Sequence, residues 1–197
     1  MKVTVTEEDL PGVRTIDPSI FTDDRGFFYE NYSSRTLAEH GIDLVFVQDN
    51  HSRSRANVIR GLHYQGPAGA QWRLVRCTVG EIFDVIVDLD LGSPTFGQWR
   101  GYRLSAENKR QLLIPPAYAH GFAVLSEVAE VQYKCSNWHN AQAERALAFD
   151  DPYLGIEWPL AGPPVTSAKD AAAPSFKDYQ ANPDFPAGWA DSLEENR

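Results

Sequence analysis

The chain has 197 residues, 43% hydrophobic and 23% charged, a balance that suits one globular domain with a sizeable core. Its 18 Lys and Arg against 27 Asp and Glu give a formal charge of −9, which argues against a general nucleic-acid binder, whose footprint is basic. An acidic protein can still hold an anionic small ligand, because a single pocket can be basic. No apolar run approaches the roughly 18 residues of a membrane span. No secretory signal is visible, and Cys77 and Cys135 sit in strand-like apolar segments, so a reduced thiol pair and a cytoplasmic location are expected.

Near the start, Asp24-Arg25-Gly26-Phe27-Phe28-Tyr29-Glu30 mixes charges with aromatics. Such a cluster can grip a phosphate and stack on a base, or form a turn on the surface rim. A helix is predicted over residues 34–40, capped by Ser34 and ended by Gly41. A strand follows at 44–48. Then comes a second polar cluster, Gln48-Asp49-Asn50-His51-Ser52-Arg53-Ser54, in which Arg53 and the nearby Arg55 read as rim. Val58-Ile59-Arg60 is strand-like and leads into Arg60-Gly61-Leu62-His63-Tyr64-Gln65. Residues 73–79 alternate, with Arg73, Val75, Cys77 and Val79 on one side. Residues 81–90 alternate too: Phe83, Val85, Val87 and Leu89 oppose Ile82, Asp84, Ile86, Asp88 and Asp90, which predicts a half-buried strand. Further strands are predicted at 99–104, 110–114 and 121–125. The last, 128–136, puts Ala129, Val131, Tyr133 and Cys135 on one side.

Gly92-Ser93-Pro94, Pro115-Pro116 and Asp151-Pro152 supply the turns between these strands. Many short strands at this spacing predict an all-β fold, a jelly-roll sandwich or barrel with few helices, in one domain over 1–197. From about residue 159 the chain is rich in Pro, Ala and Asp and reads as an irregular arm laid over the barrel. Residues 191–197 read as a fraying end.

Alternation carries the chemical argument. Tyr133 and Arg73 both share faces with apolar residues, so both are expected to point inward. A buried guanidinium is costly without a partner. Arg73 therefore implies either an anionic ligand nearby or an internal ion pair to Asp84, Asp88 or Glu81. His63 lies close in sequence to Arg60 and Arg73, and His120 follows the Pro115-Pro116 break. Two such His residues can serve acid–base chemistry or bind a metal. Metal-binding jelly rolls carry a His-x-His pair, and here Gln65 occupies the second position, so no metal is expected. A histidine base, a fixed cation and a phenol acid are what a metal-free, cofactor-free enolising enzyme needs.

Taken together, DDRGFF, FVQDNHSRS, RGLHYQ, LVRCTVGEIFDVIVDL, SPTFGQW, LSAENKRQLLIPP, AHGF and SAKDAAAP resemble the dTDP-4-dehydrorhamnose 3,5-epimerase family. They run in order from about residue 10 to 175. The resemblance implies a cupin-like jelly-roll homodimer in which an N-terminal segment crosses to the partner barrel. It implies a nucleotide-linked, dTDP-type 4-keto-6-deoxyhexose as substrate, with no cofactor. Carried over by position, His63 is the general base, Asp170 the carboxylate that orients it, and Tyr133 the acid on the opposite sugar face. Arg73 would hold the enolate oxygen. Arg25, Glu30, Gln48, Asp49, Asn50, Arg60, His120, Glu144 and Lys169 fall at substrate-contact positions. Two departures stand out. Trp72-Arg73 replaces the usual Gly-Lys, which would place Trp72 beside the sugar, and Trp138-His139 replaces a pair of tyrosines. The alternatives are a carbon-3-only epimerase, a 3,4-ketoisomerase on the same scaffold, a non-catalytic sugar-nucleotide binder and, furthest out, a metal-dependent cupin dioxygenase.

Overall fold

The computed structural model describes residues 2–189. Its strands are β1 (Val3–Glu7), β2 (Arg14–Pro18), β3 (Phe21–Asp23), β4 (Gly26–Phe28), β5 (Gln48–Arg55), β6 (Ile59–Gln65), β7 (Arg73–Val79), β8 (Glu81–Asp88), β9 (Trp99–Ser105), β10 (Gln111–Ile114), β11 (Tyr118–Val124), β12 (Val128–Cys135) and β13 (Glu144–Ala146). Three short helices are α1 (Ser34–Ala38), α2 (Ala168–Ala171) and α3 (Phe176–Ala181). Six strands form one sheet in the order β1-β2-β10-β7-β12-β5, and five form a second in the order β13-β6-β11-β8-β9. Neighbouring strands in both sheets run antiparallel, and β3 and β4 make a separate hairpin.

The two sheets pack face to face, as the alternation predicts. Val75 and Cys77 of β7, Ala129 and Val131 of β12, and Ile82 and Ile86 of β8 meet in one buried cluster between them. Val79, which shares their parity, lies at the strand end and is exposed. β8 is not half-buried: both its faces are covered. Val85 and Val87 on its other face pack against Phe176, Tyr179 and Phe185. Those residues come from the C-terminal segment, which carries α2 and α3 where an irregular arm is predicted. Ser167 and Ser175 cap these two helices by accepting from the backbone N–H three residues on, and Ser175 with Asp178 completes a capping box. Alternation within one strand cannot report a cover supplied from 90 residues away.

Other boundaries shift for local reasons. The cap of α1 is Ser33 rather than Ser34, its side chain accepting from Thr36 N, and the helix stops at Ala38, with Gly41 at φ +74 beyond it. Of residues 44–48 only Gln48 is in a strand, because β5 is built from the polar cluster that follows. Arg53 and Arg55 are exposed as expected, but on a strand rather than a turn. β11 begins at Tyr118, three residues before the predicted start. The short strands β1 to β4 and β13 carry too little apolar alternation to be found from sequence. The predicted fraying end, 191–197, lies outside the described residues.

One close approach sets up the site. β6 and β11 pair with His63 opposite His120, and the register shifts between His120 and Phe122. Gly61 sits at φ +115, and a Cβ there would lie 2.6 Å from Gly121 Cα and 2.7 Å from His120 O. Only glycine fits both the dihedral and the gap. Gly61→Ala is expected to destabilise the fold by about 2–3 kcal/mol. A chemical-denaturation midpoint equal to that of the parent protein would contradict this.

Candidate active site

At one end of the sandwich the inward-facing residues change from apolar to polar. There a cavity of about 610 Å³ opens between the sheets, a size that suits a small organic ligand. Its walls come from both sheets. β7 and β12 of the six-stranded sheet contribute Arg73 and Tyr133, and β5 adds Gln48 and Asn50. The five-stranded sheet contributes Arg60, His63, His120 and Glu144, while α2 adds Lys169 and Asp170. Ten of the thirteen residues singled out from sequence thus meet in one place.

His63 and Asp170 form a dyad. His63 Nε2 lies 2.6 Å from Asp170 Oδ1, and the carboxylate is almost wholly buried. Ser167 holds Asp170 in place, its Oγ accepting from Asp170 N at 3.1 Å. A carboxylate that accepts from Nε2 fixes the proton there and leaves Nδ1 as the basic nitrogen. The His63 carbonyl in turn accepts from Arg73 Nη1 at 3.1 Å, which ties β6 to the guanidinium across the sheets.

Among the described residues, no carboxylate forms an ion pair with Arg73. Asp84 is bound to His120 at 2.9 Å, Asp88 to Ser93 and Thr95, and Glu81 to Arg103. The internal ion pair considered from sequence is therefore not formed. Burial pushes the Arg73 guanidinium below its ordinary range, with Cys135, Tyr133, Asp84 and Glu144 acting the other way. A cation aimed into a cavity without a protein counter-ion favours an anion or a developing oxyanion there. Asp84 itself is buried, and desolvation raises its pKa against the pull of His120 and Arg73.

Tyr133 lies across the cavity on the opposite sheet from His63. Burial raises its phenol above the ordinary range, a shift that Arg73 opposes, so the hydroxyl keeps its proton at neutral pH. Trp72 does not line the cavity. It alternates with Arg73 and packs on the outer face of the six-stranded sheet with Leu74, Leu113 and Ile16. The swap that looked able to crowd a ligand is a packing change on the far side. Gln65, in the position of a second motif histidine, is buried, and its Oε1 accepts from Asn140 N at 3.1 Å. Among the described residues, no group of three or more His, Cys, Asp or Glu side chains could hold a metal ion.

Three predicted contacts lie elsewhere in this chain. Arg25 sits on the exposed β3–β4 hairpin, paired with Asp23 at 2.5 Å. Glu30 accepts from Thr36 Oγ1, and exposed Asp49 pairs with Lys134 on the outer sheet face. The hairpin also exposes Phe21, Phe27 and Phe28. Conversely, Cys135, His139 and Ser167 line the cavity without having been chosen. Cys135 shares the parity of Tyr133, and Ser-x-x-Asp marks a helix cap, so two of the three had a readable signal.

The family model described as dTDP-4-dehydrorhamnose 3,5-epimerase matches residues 7–178. A dTDP-4-dehydrorhamnose 3,5-epimerase of Salmonella typhimurium is 53% identical over 171 residues, covering 86% of this chain and 93% of the relative. One from Pseudomonas aeruginosa is 53% identical over 175 residues, covering 88% and 96%. The crystal structure of a dTDP-6-deoxy-D-glucose-3,5-epimerase from Legionella pneumophila, in complex with dTDP-4-keto-L-rhamnose, superposes with a TM-score of 0.89 at 45% identity, covering 94% of this chain and 98% of that one.

Proposed function

The chain belongs to the dTDP-4-dehydrorhamnose 3,5-epimerase family, and from that premise we infer that it inverts carbons 3 and 5 of a dTDP-linked 4-keto-6-deoxyhexose in rhamnose-type deoxysugar synthesis. The observation that carries the site assignment is the opposition of His63 and Tyr133 on facing sheets, with Arg73 beside them. Carbons 3 and 5 flank the ketone, so their protons are the acidic ones. Removal of either leaves an enolate with charge on the carbonyl oxygen.

In this reading His63, oriented by Asp170, takes the proton. Arg73, with His120 held by Asp84, stabilises the oxyanion, a contribution of roughly 3 kcal/mol for one good donor. Tyr133 returns a proton to the opposite face, and the configuration inverts. The buried Arg73 guanidinium, the raised phenol of Tyr133 and the short His63–Asp170 bond each support one of these roles. Arg60, Gln48, Asn50, Glu144 and Lys169 bind the nucleotide and sugar. The reading needs no cofactor or metal. Incubation with dTDP-4-keto-6-deoxyglucose should give product inverted at both carbons by NMR, and an exclusively carbon-3 product would refute the double epimerisation.

The working unit in this proposal is a homodimer of single-domain chains. The exposed aromatic hairpin with Arg25, together with Glu30, lies outside the chain's own cavity, which fits a segment that completes the partner's site. The protein is then expected to run as a dimer in solution, and a fully active monomer would refute this. The two free, buried thiols suit a reducing compartment, and a cytoplasmic location is part of the proposal. Among the described residues no helix is long and apolar enough to cross a membrane.

A further inference from the structure

Three side chains of the cavity wall form a charge cluster of their own. Lys169 Nζ on α2 lies 2.8 Å from Glu144 Oε2 on β13. His139, in the loop between β12 and β13, approaches the same carboxylate oxygen with Nε2 at 4.0 Å. All three line the cavity. The backbone of His139 is pinned, its N–H donating to Gln48 Oε1 of β5 at 3.1 Å, while its side chain remains half exposed. The charged and titratable groups around the ring are Glu144, Lys169 beyond it, and His63 on β6, whose charge also reaches Glu144. The Lys169 hydrogen bond is the main reason that Glu144 stays below the usual carboxylate range.

An ammonium bound to a carboxylate is a poor ligand for a diphosphate. The carboxylate repels the incoming anion and occupies the cation meant for it. A second cation beside the carboxylate changes this, because it can take over Glu144 and let the ammonium turn away. The inference rests on the nucleotide-sugar reading above and deepens it. We propose that His139 is a substrate-positioning residue: by accepting a proton from solvent and pairing with Glu144, it releases Lys169 to the diphosphate of the incoming nucleotide sugar.

The test uses dTDP-glucose, which has no 4-ketone to enolise and whose diphosphate diester does not titrate near neutrality. Its affinity is measured by calorimetry at about pH 5.5 and about pH 8, on either side of the range in which histidine ordinarily changes charge. The parent protein should bind about five- to tenfold tighter at the lower pH, the scale of one partly exposed charge pair. His139→Gln should bind more weakly than the parent at the lower pH, with the ratio falling well below the parent value and only the His63 contribution left. His139→Arg, a permanent cation, should bind tightly at both. A role limited to packing would leave the pH ratio of His139→Gln at the parent value, and that result would overturn the proposal. Equal affinity of the parent protein at the two pH values would do the same. No binding by the parent at either pH would instead overturn the nucleotide-sugar reading and remove this inference with it.

Discussion

Replacing His63 by alanine is expected to lower turnover by about two to four orders of magnitude, the usual scale of general acid–base catalysis. The geometry explains why no neighbour can substitute. Asp170 already holds one ring nitrogen at 2.6 Å, so the dyad has a single free basic atom. His120, opposite His63 in the strand pairing, is committed to the buried Asp84. Alanine also strands the Asp170 carboxylate, which is almost wholly buried, at a cost of about 1–3 kcal/mol in stability. His63→Gln separates the two effects, because its amide nitrogen falls where Nε2 meets Asp170. Its amide can still donate to Asp170, yet it cannot accept a proton at neutral pH. Both variants should lose exchange of the substrate's carbon-bound protons. Near-normal exchange in folded His63→Gln would show that the base lies elsewhere.

Tyr133→Phe should give a different signature. The ring still packs beside the apolar cluster between the sheets, so the fold should survive. Only the protonated oxygen is lost, and with it the return of a proton to the face opposite His63. Inversion should fall by about two to four orders of magnitude, while His63 goes on removing and replacing the proton on its own face. Deuterium from solvent would then enter with retained configuration. NMR of substrate recovered from deuterated buffer reads both quantities. Product inverted at the parent rate would remove Tyr133 from the mechanism.

Much of the fold and of the site can be read from the sequence. Alternation places Arg73 and Tyr133 inward because a strand's side chains must alternate, whatever the fold. It cannot say what they face, since opposition across two sheets depends on pairing and turns. Asp170 shows why resemblance was needed for one residue. It is one of many acids, it lies 107 residues from His63, and its four-residue helix has no periodicity to detect. The cover on the outer face of β8 was invisible for the same reason, because Phe176 and Phe185 carry no local mark of what they will cover. Trp72 shows the opposite case. It is expected beside the sugar on the resemblance, yet it packs in the outer-sheet cluster, as its alternation with Arg73 requires.

In the proposed mechanism the protein enolises a 4-keto sugar on both sides of the ketone with its own side chains alone. The direct measurement is incubation of the purified wild-type protein with dTDP-4-keto-6-deoxyglucose in deuterated water, followed by NMR of the product. One deuterium at carbon 3 and one at carbon 5 are expected, each on an inverted centre. Label at carbon 3 alone would contradict the double epimerisation, and label at neither carbon would contradict the enolate mechanism itself.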